Sequence, residues 1–242
     1  MSELHKFLFE GLPVRGSLVR LGADAWGEIL RRRAQSPSGA YPLAVQNLLG
    51  EMAAAAVLMQ SSIKFDGALI LQVFGDGPVK LAVAEVQSDL RLRATATVQG
   101  EVSTEAQLSD LLNVQGLGRC AVTLDPKGRQ PGQQPYQGVV PLSDADGRGM
   151  RSLSEALQHY MRQSEQLETT LVLAADDKVA AGLLIQRLPV QGAGNLEGEK
   201  GVEEAAEMQE HYNRIATLAS SLKREELLTL DVETILRRLF WE

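Results

Sequence analysis

Alternation of apolar and polar residues predicts strands over much of the first 190 positions. The clearest strand is Leu90 to Val98, where leucine, alanine and valine at even positions alternate with arginine and threonine at odd ones. A period of two gives a strand one core face and one polar face. An opening strand and turn is predicted within Lys6–Leu21, and further strands at Ala68–Phe74, Val79–Val86, Arg119–Leu124, Tyr136–Leu142, Thr169–Ala175 and Val179–Leu188.

Apolar residues at steps of three and four predict helices between these strands. A short helix is expected at Asp24–Arg33 and a longer one at Pro42–Ser62, with one buried stripe. Ser152 and Glu155 have the spacing of a capping box at the start of a helix that runs to about Gln166, and Thr104 with Gln107 has it before another. Strands interspersed with helices predict an α+β fold, in which helices cover a sheet. The stripe of the long helix consists of Val45, Leu48, Leu49, Met52, Ala56 and Met59.

A glycine-rich stretch marks a boundary near the end of the chain. The predicted division is a core domain at 1–190, a flexible linker at 191–201 and a helical arm at 202–242. A segment this short rarely sustains a core of its own, so the arm must dock on its own core domain or on a second subunit. The arm carries two apolar stripes: Met208, Tyr212, Ile215, Leu218 and Leu222, then Val232, Ile235, Leu236, Leu239 and Phe240.

The composition narrows the classes of protein. With 242 residues, 44% hydrophobic content and a net charge of -7, the chain is globular and carries no general attraction for nucleic acid. Its longest uninterrupted apolar run, Met52–Met59, has eight residues, which predicts a cytoplasmic protein without a membrane span. A single cysteine and three scattered histidines lack zinc-site spacing, so no metal or other cofactor is expected in this chain.

Several motifs suggest chemistry, but each has a simpler structural interpretation. The glycines of Gly116–Ala121 match a dinucleotide pattern yet precede a strand, and Gly75–Pro78 lacks P-loop spacing, so both are interpreted as turns. Cys120 shares a strand face with Val122 and Leu124, which favours a buried small hydrophobe over a nucleophile. No enzyme is predicted. The remaining charged or polar residues are interpreted as part of the solvent-exposed surface of helices: Arg31–Arg33, His159, Glu203–Glu204 and Glu225–Glu226.

Seven short motifs together resemble, in order and spacing, the redox-regulated holdase chaperones of bacteria, the thirty-three-kilodalton heat-shock family. They extend over nearly the whole chain. One departure is Ala181 before Gly182, where that family commonly has two glycines, which puts a local turn in doubt. The motifs are Val14-Arg15-Gly16, Phe65-Asp66-Gly67, Gly75-Asp76-Gly77-Pro78, Tyr136-Gln137-Gly138-Val139, Tyr160 with Ser164-Glu165-Gln166, Leu188-Pro189 and Glu225-Glu226-Leu227-Leu228.

The resemblance implies an ATP-independent stress chaperone that holds unfolded or oxidatively damaged client proteins. It also implies a C-terminal zinc site of four cysteines, which this chain, ending at Glu242, does not contain. We therefore expect constitutive activity without a redox response. A homodimer is expected, with the arm packed on or swapped onto the partner subunit.

Client or partner contacts are predicted on the apolar surface of the arm. One alternative is an inactive oligomeric fragment in which this surface is buried. A second is an enzyme that uses Cys120 or the glycine loops. The candidate contacts are Leu228, Val232, Ile235, Leu236, Leu239, Phe240 and Trp241.

Overall fold

The computed structural model describes residues 1–129, 132–189 and 199–241. Its strands are β1 (Glu3–Leu8), β2 (Val14–Leu21), β3 (Gly67–Phe74), β4 (Val79–Gln87), β5 (Leu92–Val98), β6 (Arg119–Pro126), β7 (Tyr136–Pro141), β8 (Thr169–Ala175) and β9 (Ala180–Arg187). Its α-helices are α1 (Glu28–Ala34), α2 (Leu43–Ser62), α3 (Leu108–Leu112), α4 (Leu153–Ser164), α5 (Glu199–Ser220), α6 (Arg224–Thr229) and α7 (Val232–Phe240). A π-helical turn at Ala23–Gly27 leads into α1.

The strands form two antiparallel sheets with α2 packed against both. Sheet A has the order β1-β2-β9-β8, and sheet B has the order β5-β4-β3-β6-β7. The α+β prediction is confirmed. Where one opening strand and a turn were expected, the structure has two strands, β1 and β2, and the other predicted strands are present within a few residues of their expected ends. The hairpin of β3 and β4 turns at Gly75–Pro78, as predicted.

Helix α2 forms the centre of the main core. The sequence predicts one buried stripe, but the helix is buried on nearly every side, because both sheets pack against it. By length and composition alone this helix could cross a membrane, yet 78% of its most apolar 18-residue stretch is buried inside the protein. Such burial is typical of the core helix of a globular fold, which is hydrophobic all round.

Sheet A is apolar on both faces. Alternate residues of β9 point to opposite sides: Ala180 and Leu184 join the core around α2, whereas Leu183 and Ile185 join a second cluster on the outer side. Ala181 and Gly182 lie inside β9, so the departure from the family pattern affects a strand and not the turn that the sequence suggests.

Two details differ from the predicted boundaries. The capping box of α3 is formed by Gln107 and Asp110, because the Asp110 carboxylate accepts a hydrogen bond from the Gln107 N–H at 2.9 Å; Thr104 is not part of it. Most of the predicted linker lies outside the described residues, and α5 already begins at Glu199. The division into domains stays a prediction.

Candidate functional site: the arm and the sheet face beneath it

Helices α5 to α7 lie over the outer face of sheet A, where they bury an apolar surface. Side chains from β2, β8 and β9 point outward into this layer, and the arm supplies the matching stripe. In this structure of a single chain the arm lies against sheet A of its own chain, and the swap onto a second subunit stays a prediction. The buried sheet residues are Val14, Leu18, Ala174, Ala181, Leu183 and Ile185; the buried arm residues are Tyr212, Ile215, Ala219, Leu222, Leu227, Val232, Ile235, Leu236 and Leu239.

The seven candidate contact residues are not a free surface in this conformation. Ile235 is 0% exposed, and Val232, Leu236 and Leu239 are also buried against the sheet. Leu228 and Phe240 are partly buried in the same layer, whereas Trp241 is 61% exposed. In the docked arm the apolar outer face of sheet A covers most of that stripe, and the role of these residues as client or partner contacts stays a prediction.

One arginine of the sheet holds the turn between the last two helices. Arg20, on β2, donates hydrogen bonds from Nη1 to the carbonyl oxygens of Leu227 at 2.8 Å and Leu230 at 2.7 Å. Its Nη2 donates to the carbonyl oxygen of Leu228 at 2.9 Å. The end of a helix leaves carbonyl oxygens without partners and carries partial negative charge, which a guanidinium satisfies.

The end of the arm is held by aromatic packing. The Phe240 ring lies edge-on to Phe9 with centroids 5.0 Å apart, and 6.0 Å from Phe7. Both phenylalanines belong to the hairpin of β1 and β2, so the last helix is anchored on sheet A near its edge.

A second polar contact joins the arm to α2. Arg224 donates from Nη2 to the carbonyl oxygen of Ala175, and its Nη1 lies 3.9 Å from Oε1 of Glu51. The side chain of Glu51 is only 21% exposed, and burial raises its pKa to about 7 while Arg224 acts in the opposite direction. This carboxyl therefore titrates near neutral pH in the folded protein.

Glu51 should make stability depend on pH. A raised folded-state pKa means that the folded protein binds more protons than the unfolded chain between pH 4.5 and about 7. The contribution of protonated Glu51 to the free energy of unfolding is fully present below pH 4.5 and is lost as pH rises through about 7. Glutamine resembles the protonated side chain and does not titrate. We therefore expect the free energy of unfolding of E51Q to fall by about 1 to 2 kcal/mol less than that of the unaltered protein as pH rises. Urea unfolding of both proteins from pH 5 to 8 measures it; parallel pH profiles would contradict the assignment.

The two glycine loops and Cys120 have structural roles, as the sequence predicted. Oδ2 of Asp76, in the first glycine turn, accepts hydrogen bonds from the N–H groups of Gln115 at 3.0 Å and Leu117 at 2.8 Å, in the second glycine loop. The two loops thus brace each other. Cys120 is fully buried on β6, and burial raises the pKa of its thiol to about 12, so it stays protonated.

The residues described by the structure do not fit the zinc site that the resemblance implies. No three histidine, cysteine or carboxylate side chains among them come together in a way that could hold a metal ion. The single cysteine is enclosed in the core.

Comparison with known proteins identifies the family. A model of the Hsp33 protein family matches residues 2–242. The 33 kDa chaperonins of Chromobacterium violaceum and Methylobacillus flagellatus are 45% and 40% identical over 240 residues, which is 99% of this chain and 71% of each relative. A 33 kDa chaperonin of Thermotoga maritima, solved by crystallography, shares the fold with a TM-score of 0.70 at 21% identity, covering 99% of this chain and 74% of that one. The chain therefore belongs to the Hsp33 family of chaperones.

Proposed function

We propose that this chain is an ATP-independent cytoplasmic holdase whose client surface is the outer face of sheet A, with the arm as a reversible cover. The observation that carries the proposal is the apolar face itself, which is continuous across β2, β9 and β8 and is covered by the arm together with Phe7, Phe9 and Leu12 of the first hairpin. This proposal places the client contacts on the sheet face beneath the arm, and not on the arm itself.

An apolar sheet face suits the capture of unfolding proteins. Burial of apolar surface contributes about 25 cal/mol per Å² and requires no particular partner sequence. Clients that expose apolar segments can therefore replace the arm without specific complementarity. The net charge of -7 helps to keep the complexes soluble. The family is one of chaperones and not a known enzyme family, which agrees with a binding role.

Because the docked arm covers the proposed client surface, holdase activity requires release of the arm. In this conformation the client surface is covered, so constitutive activity requires an arm that opens readily, and it stays a prediction. The homodimer and the swap of arms between subunits also stay predictions, since the contacts described here lie within one chain. The loss of redox control likewise stays a prediction.

Loosening the arm should raise the activity. R20Q removes a charged donor from three carbonyl oxygens, at a cost of about 1.5 kcal/mol, which is about tenfold in the open fraction. We expect R20Q to suppress aggregation of a heat-unfolding client, followed by light scattering, at a lower ratio of chain to client than the unaltered protein. R119Q is the control, because Arg119 is an exposed arginine on sheet B.

The same assay can refute the proposed function. If neither protein suppresses aggregation at equimolar chain, the holdase proposal fails and the inactive-fragment alternative stands. If R20Q and R119Q change activity equally, the arm is not the cover.

A further inference from the structure

The first strand of sheet A has one open side. β1 is the edge strand of its sheet and pairs with β2. Among the residues that the structure describes, no backbone group other than those of β2 bonds to the backbone of Glu3–Leu8. An edge strand presents a row of N–H and C=O groups to which another extended chain can bind.

The inner face of β1 places a lysine between two leucines. Leu4, Lys6 and Leu8 share this face, because alternate residues of a strand lie on the same side. Leu4 packs against the main core, whereas Phe7, on the opposite face, packs in the layer beneath the arm. Leu8 is 75% exposed. The open part of this face therefore combines a cation with an uncovered apolar side chain, on the side of the hairpin away from the arm.

A groove lies along this face, between the hairpin of β1 and β2 and the end of α2. It encloses about 650 Å³, which is within the range of sites that bind molecules larger than a single ion. Leu8 and Ile63, which is 38% exposed, give the groove apolar surface. Lys6, Arg15 and Lys64 also line it, and no acidic residue does. The groove is therefore cationic on a chain whose net charge is -7.

The three cations of the groove lack acidic partners. Lys6 donates to the carbonyl oxygen of Ser61, and Nη1 of Arg15 donates to that of Ser62 at 2.8 Å, so both side chains cap the end of α2. Capping explains why two cations lie here, but it leaves N–H groups free on each of them. Among the described residues no carboxylate oxygen lies within 4.0 Å of Lys6, Arg15 or Lys64. The groove thus has positive charge left for an anionic partner.

We propose that β1 and this groove bind an extended acidic peptide, which adds to the four strands of sheet A as a fifth. On the side facing the groove the peptide has a carboxylate residue between two apolar residues. Side chains directly opposite each other on paired strands interact, so the carboxylate lies against Lys6 and an apolar residue against Leu8. A second copy of β1 fits poorly, because Leu4, Lys6 and Leu8 would bring no carboxylate to this face. The site faces away from the arm and does not depend on the proposed holdase activity.

Fluorescence anisotropy of labelled, capped peptides, titrated with the full chain, tests the charge. We expect the peptide SVSESVS to saturate a single site, and SVSKSVS to bind about tenfold more weakly. K64E turns an attraction into a repulsion, so it should weaken SVSESVS about fivefold and strengthen SVSKSVS. K178E is the matched control, because Lys178 is an exposed lysine in the turn between β8 and β9, and it should change neither peptide. No saturable binding of SVSESVS, or equal effects of K64E and K178E, would overturn the proposal.

Two methylated peptides test the addition of a strand without altering the protein. The N–H groups of alternate residues in an extended peptide point to opposite edges. N-methylation of the serines of SVSESVS therefore blocks one edge, and N-methylation of its valines and glutamate blocks the other, while the charge is unchanged. We expect one of these peptides to bind within about twofold of SVSESVS and the other to bind at least about tenfold more weakly, because only one edge faces β1.

Two outcomes would refute the added strand. Equal binding of the two methylated peptides would mean that charge alone holds the peptide in the groove. Absence of peptide binding, together with a K64E chain of half the unaltered mass in analytical ultracentrifugation, would assign the edge to a second copy of this chain.

Discussion

Replacement of Ile235 by glutamate is expected to detach the arm and convert the chain into a strongly active holdase. Ile235 is completely buried between α7 and sheet A. A carboxylate there would be buried among the apolar side chains of the outer cluster, and an unpaired buried charge costs about 3 to 5 kcal/mol. This exceeds the effect expected for R20Q. Because the arm belongs to the outer cluster and α2 to the main core, release should leave the main core folded.

L218E is the matched control for this experiment, because it adds the same charge to an exposed position of the arm. Hydrogen exchange should show loss of protection in α6 and α7 of I235E, with α2 still protected. Client aggregation should then be suppressed at a lower chain ratio by I235E than by L218E. A detached arm with unchanged suppression would show that the sheet face does not hold clients, and would refute the proposed surface while leaving the family intact.

Local patterns predicted most of the elements, because each depends on neighbouring residues. Alternation in Leu92–Val98 predicted a strand, and the predicted Ser152 cap of α4 is present, with Oγ accepting from the Glu155 N–H at 3.2 Å. The burial of α2 on all sides also had a signal. Its alanine tract Ala53–Ala56 and flanking aliphatic residues leave little polar face, which is typical of a helix enclosed by other elements.

The layer order could not be predicted in the same way. The continuous apolar run Ala180–Ile185 indicates a strand covered on both faces, but not which segment covers it. Arg20 contacts carbonyl oxygens more than 200 positions away, and backbone carbonyls have no sequence signal. Tyr136 of β7 likewise meets Tyr160 of α4 at Oε1 of Glu165, so only the fold brings these two motifs together.

The close approach of α2 to sheet A at a glycine leads to the second prediction with a large effect on stability. Gly50 lies in the middle of α2, and a Cβ atom there would lie 2.4 Å from Cβ of Ala175 and 3.2 Å from Cβ of Ala180. Carbon atoms pack at about 3.5 to 4.0 Å, so the helix must move away from β8 and β9. Both neighbours are short side chains that cannot turn aside.

G50A should therefore destabilise the protein by about 2 to 3 kcal/mol, even though alanine favours a helix over glycine by about 1 kcal/mol. G27A is the matched control: Gly27 has helical φ of -59°, and its Cβ would meet Ala23 at an ordinary 3.5 Å. We expect G27A to be neutral or more stable by up to about 1 kcal/mol. Urea unfolding of the two variants compares their free energies of unfolding. The added methyl group of G27A makes ordinary contacts, whereas that of G50A collides with rigid methyl groups. A G50A protein as stable as G27A would mean that α2 and sheet A are not in close contact at this point.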